Sequence, residues 1–162
     1  MRIIATLLLV TLAGCAQMPA AQAPGKSMSP SSRPADARPD LAAKWVKDGN
    51  YRWPPDDGFA AEGSYLVLPA GVLLDRFGSE HGRFFSPKGA SFDARALPTV
   101  CANLTYSVYR VVSPLPVKVG GAAPWFDEPG GATQIKTDAS AGQLVADGVL
   151  RRVPTKDSPC TK

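Results

Sequence analysis

Apolar positions fall into three regimes along the chain. Residues 3–12 form an apolar run broken only by Thr6 and Thr11. Residues 16–40 hold no Val, Ile, Leu or aromatic side chain, but five Pro and six Ala. From residue 41 onward, short apolar stretches alternate with turns rich in Gly, Pro and Asp, the patterning of strands. Strands are predicted at 65–69, 72–77, 105–112, 117–120 and 135–137, with a last short one at 149–153. Asp40 is placed to cap a short helix through Asp48 that turns Leu41, Trp45 and Val46 inward. Asp138 is placed to cap a second helix that runs to Asp147 and is closed by Gly148. There is no internal repeat and no heptad pattern. The implied class is α+β: a single small domain with a mainly antiparallel β-sheet and a few short helices.

The first regime reads as an address. Arg2 precedes an apolar core of about ten residues, whereas a membrane-spanning helix needs ~20. Residues 1–14 are therefore expected to be a signal peptide. Leu12-Ala13-Gly14-Cys15 resembles the bacterial lipobox, in which small residues admit a peptidase and the Cys thiol receives a diacylglyceryl group. That resemblance implies lipidation at Cys15 and anchoring by several acyl chains, palmitate among them, which hold far more firmly than one. Ala16, where an Asp would signal inner-membrane retention, implies an outer-membrane or other periplasmic or cell-surface position. Residues 15–40 cannot bury enough apolar surface to offset the entropy of ordering, and read as a disordered Pro/Ala-rich spacer. The domain is expected over 41–162.

Charge narrows the function. The net charge is +4, but from residue 45 onward 13 Lys and Arg face 12 Asp and Glu. The excess sits in the first quarter, so the folded part lacks the basic patch of a nucleic-acid binder. Three Cys and one His without paired ligand spacings do not make a conventional structural zinc site, and no metal is expected. With Cys15 lipidated, Cys101 and Cys160 remain. In an oxidising compartment they have a single possible pairing, which would stabilise by about 4 kcal/mol in the chain-entropy model; two free thiols are the alternative.

Catalysis by a serine or cysteine triad would have to use His81, which lies in the glycine-flanked turn Gly78-Ser79-Glu80-His81-Gly82 and reads as a surface residue. The adjacent acids Asp56-Asp57 and Asp127-Glu128 read first as turn chemistry.

Three dense segments go beyond turn chemistry. They are Tyr51-Arg52-Trp53-Pro54-Pro55-Asp56-Asp57-Gly58-Phe59, Leu73-Leu74-Asp75-Arg76-Phe77-Gly78-Ser79-Glu80-His81-Gly82-Arg83-Phe84-Phe85-Ser86-Pro87, and Ala123-Pro124-Trp125-Phe126-Asp127-Glu128-Pro129-Gly130-Gly131-Ala132-Thr133-Gln134. In this order they resemble the TNT domain family, named for a tuberculosis necrotizing toxin, over residues 51–152. The resemblance implies an NAD glycohydrolase that releases nicotinamide from NAD or NADP and leaves ADP-ribose, with no cofactor. Arg76 matches the family's functional arginine, and Gln134 its functional glutamine. A guanidinium fork suits a diphosphate, and a carboxamide both donates to and accepts from ribose hydroxyls or water. Phe77, Phe84 and Trp125 are candidates for packing on substrate rings, with core packing as the alternative for each.

Two departures stand out. The family often has Tyr where this chain has Phe84, and Ser107 stands where the founding toxin has a histidine. The expected partners are thus NAD or NADP, a membrane through Cys15, and an immunity protein such as toxins carry. An inactive nucleotide- or partner-binding lipoprotein of the same fold is the alternative. An ADP-ribosyltransferase is a weaker third reading, since no acidic catalytic motif of that kind is present.

Overall fold

The computed structural model describes residues 34–156 and 158–160. The expected signal peptide, Cys15 and most of the spacer lie outside the described residues.

Among the described residues seven strands form one sheet: β3 (Ser64–Leu68), β4 (Leu73–Phe77), β5 (Phe84–Pro87), β6 (Tyr106–Val111), β7 (Leu115–Gly121), β8 (Thr133–Lys136) and β9 (Leu150–Val153). Their order is β3-β7-β8-β5-β4-β6-β9, and every neighbouring pair is antiparallel. One face carries Leu74, Phe85, Tyr109, Val111, Val117, Ile135 and Leu150, which pack with Ala141 and Leu144 of the helix α1 (Ala141–Ala146). Six residues cannot hold a helix alone. Its backbone is instead tied to the β4–β5 loop, where Ala141 N donates to Gly82 O (3.0 Å) and Gly142 N to Glu80 O (2.9 Å). The class is the one expected from the sequence: a small domain with a mainly antiparallel sheet and few short helices.

Four local expectations are corrected. The helix over 40–48 is absent; a 3-10 turn (Ala43–Trp45) leads into the hairpin β1 (Val46–Lys47) and β2 (Asn50–Tyr51). Asp48 and Gly49 have φ of 51° and 78°, so this Asp-Gly pair makes the two-residue turn that suits strand twist. Strand β5 had not been expected; Phe85 pairs with Ile135 of β8, and this long-range partner makes the short segment a strand. The cap of α1 is Ser140, whose Oγ accepts from Gln143 N at 3.2 Å, and not Asp138.

By residue 37, ahead of the domain start expected at 41, the described chain is already docked. Ala37 bridges to Thr99, Arg38 N donates to Pro98 O, and the largely buried Arg38 guanidinium pairs with Glu128. At the other end, Cys101 and Cys160 are joined by a disulfide with 5.6 Å between their Cα atoms.

Candidate active site

The site begins where the sheet comes apart. β4 and β5 pair only at Leu74–Pro87 and Asp75–Ser86. The next residues in that register, Arg76 and Phe85, are not paired, and the Arg76 guanidinium lies against Gly82 in the loop between the two strands. Arg76 is 7% exposed, its Cζ lies 5.7 Å from the centre of the Phe85 ring, and Nη2 reaches Phe77 O at a long 3.4 Å. Among the described residues its Nε and Nη1 have no hydrogen-bond partner. Burial pushes its pKa down, opposed by the Tyr109 and Glu80 side chains. A buried guanidinium with idle donors is unfavourable unless something else binds it.

Arg76 borders a cavity of about 350 Å³ whose lining includes all the site residues expected from the sequence: Arg76, Gln134, Phe77, Phe84 and Trp125. Loops 53–58, 95–97 and 122–125 contribute the other walls. Trp125 is fixed by Nε1 donating to Arg52 O (2.6 Å) and by the Trp45 ring 4.9 Å away. Below them Phe126 is fully buried, with Trp45, Tyr51 and Trp53 all within 6 Å of its ring centre. Two of the dense sequence segments thus clamp one another to form a wall. Phe77 is packed by Phe92 and Tyr106 and covered by the Arg95 guanidinium at 4.9 Å, whereas Phe84 is 39% exposed. Ser107 pairs directly opposite Arg76 on β6, so a hydroxyl flanks the arginine. His81 is exposed on its turn.

Several residues in or beside the site were given no role there by the sequence. Asp75, fully buried, accepts from Arg95 Nη2 (2.5 Å), Tyr106 OH (2.8 Å) and Gly89 N (2.9 Å). Burial and then this carboxylate push the Tyr106 pKa up, so the hydroxyl stays a donor. Asp57 accepts from Gln134 Nε2 at its carbonyl (2.9 Å) and from Lys136 Nζ at its carboxylate (2.6 Å). The Lys136 contact holds the Asp57 carboxyl below its ordinary range. Ala96 at the cavity wall has φ of 50°, a strained backbone for a non-glycine residue.

Gly82 is the least conspicuous of these in sequence. A Cβ there would stand 2.6 Å from Arg76 Cζ, so glycine is what lets the guanidinium lie against the β4–β5 loop. Gly82→Ala is accordingly expected to fold but to displace Arg76, lowering any Arg76-dependent turnover by about tenfold or more. Assays beside thermal melts check this, and unchanged turnover contradicts it.

Residues 67–153 match the sequence profile of the tuberculosis necrotizing toxin (TNT) family. This chain belongs to the TNT family. The match spans β4 to β9 and contains both Arg76 and Gln134. A relative, the conidial surface nicotinamide adenine dinucleotide glycohydrolase nadA of Aspergillus fumigatus, is 39% identical over 127 residues, covering 68% of this chain and 54% of its own length. The chain thus spans about half of that curated relative. Among solved structures, that of TNT complexed with its immunity factor superposes with a TM-score of 0.54 at 24% identity, over 64% of this chain and 62% of the other. This second likeness shows a shared TNT fold.

Proposed function

We propose that this TNT-family chain is an NAD glycohydrolase, acting on NAD or NADP without a cofactor. The observation that carries the reading is Arg76: a buried guanidinium whose Nε and Nη1 have no hydrogen-bond partner among the described residues, bordering a cavity that also presents Gln134 and aromatic rings. The name of the curated relative supports the same chemistry.

The reaction asks little proton transfer of the protein. The C1′–N1 bond of the nicotinamide riboside breaks, its electron pair returns to the ring nitrogen, and nicotinamide leaves neutral. Water adds to the oxocarbenium-like C1′ and loses its proton to solvent, giving ADP-ribose. Arg76 holds the diphosphate through a charge-assisted fork. Gln134 spends Nε2 on the Asp57 carbonyl, so its Oε1 is the atom left to accept from a ribose hydroxyl or the attacking water. Phe84 and Trp125 pack on the rings, while Phe77 mainly supports Arg95. Release of nicotinamide by the purified protein tests this reading. The alternative, an inactive binding module, is favoured only by Phe84, where the family often has Tyr, and by Ser107, where the founding toxin has a histidine.

The proposal extends to placement and partners. A lipid anchor at Cys15 would carry the domain on a spacer ending near residue 37. The solved TNT structure holds an immunity factor, and a protein partner of that kind belongs to the proposal as well. Cys15→Ser is expected to leave an unprocessed precursor that no longer fractionates with membranes. Processing and fractionation identical to wild type contradict the anchor.

A further inference from the structure

Gln134 and Lys136 are alternate residues of β8 and project from the same face. Both reach one turn: Gln134 Nε2 meets the Asp57 carbonyl, and Lys136 Nζ meets the Asp57 carboxylate. That turn is one the backbone resists. Asp56, Asp57 and Gly58 have φ of 52°, 56° and 80°. Two consecutive non-glycine residues in the left-handed region persist only when their surroundings hold them. Ala123 N donates to Gly58 O (2.8 Å) and secures the downstream end, while Lys136 grips the residue before it.

Lys136 is also placed where charge alone would not put it. Lys118 stands directly opposite on β7, and like charges in that position disfavour the pairing. Asp57 supplies the missing countercharge, and the Lys118 ammonium lies instead over the Phe59 ring at 4.9 Å.

We propose that the Lys136–Asp57 pair is a latch that positions Gln134. By fixing the carbonyl that takes Nε2, it prevents the carboxamide from turning over and keeps Oε1 toward the cavity. Lys136 and Asp57 are positioning residues; neither needs to touch substrate. The role in turnover rests on the glycohydrolase reading, but the geometric role does not.

Freed of the latch, the Asp57 carbonyl no longer holds the carboxamide in one position, so kcat should fall while substrate binding holds. In the full-length protein, Lys136→Met is expected to lower kcat about tenfold with KM changed less than about twofold. Lys136→Arg keeps the pair and should restore kcat to within about twofold of wild type. Adding Asp57→Asn to Lys136→Met should cost little more, because both break one contact. A second readout does not depend on activity. The Gln134 carboxamide NH₂ signal, assigned by its loss in Gln134→Ala, should shift and exchange faster in Lys136→Met but not in Lys136→Arg. Wild-type kcat in Lys136→Met, or an unchanged carboxamide signal, overturns the latch. If the wild-type protein hydrolyses no NAD, the glycohydrolase reading fails instead, and the carboxamide signal still decides the latch.

Discussion

Gln134→Ala is expected to melt close to wild type and to release nicotinamide about 10²–10³-fold more slowly, with a far smaller change in KM. The side chain lies at the cavity wall and makes one hydrogen bond to the fold, through Nε2 to the Asp57 carbonyl. Removing it leaves that carbonyl within reach of water, so stability should move by about 1 kcal/mol or less. Its work belongs to the transition state, where charge develops at C1′ and the ribose and water must be aligned. Initial-rate kinetics beside thermal melts check this. Wild-type turnover in a folded Gln134→Ala protein removes Gln134 from the site.

Arg76→Met should move activity and stability in opposite directions. The guanidinium is 7% exposed and its Nε and Nη1 have no partner among the described residues, so the fold carries the desolvation of a charge it does not fully satisfy. An apolar side chain of similar length removes that burden, and a gain of about 1–3 kcal/mol is expected. The same change removes the diphosphate fork, and kcat/KM should fall by about 10²-fold or more. Arg76→Lys should lie between, keeping charge but not the planar pair of donors. A site under selection for stability alone would show the reverse: an Arg76→Met protein that melts earlier and loses activity only in proportion. Denaturant or thermal unfolding with matched kinetics separates the two.

Much of the site was legible because it lies in ordered local segments. Arg76 and Gln134 stand in dense runs and were singled out by the resemblance to the TNT family; the strand expected at 72–77 holds Arg76, whereas the one expected at 135–137 begins one residue past Gln134, which lies within β8. The Asp48-Gly49 hairpin was legible too, since Asp-Gly between short apolar runs is a strong turn signal; a helical reading centred on Leu41 and Trp45 obscured it. Other features depend on contacts that no local window contains. Arg38 sits in a Pro/Ala-rich stretch without apolar anchors, and its Phe126 partner lies 88 residues away. β5 is a strand because β8 offers Ile135, and Gly82 matters because Arg76 fills the space beside it. The Asp57 latch was hidden for a different reason. Asp56-Asp57-Gly58 does form a turn, as the sequence suggested, but turn chemistry alone does not say which strand grips it.

The most direct test is product analysis after incubating the purified protein with NAD and, separately, NADP. The account predicts nicotinamide and free ADP-ribose (or its 2′-phosphate) in equal amounts, from at least one of the two, with formation nearly abolished in Gln134→Ala. No nicotinamide from either dinucleotide, or nicotinamide released with the ADP-ribose attached to protein, would contradict it.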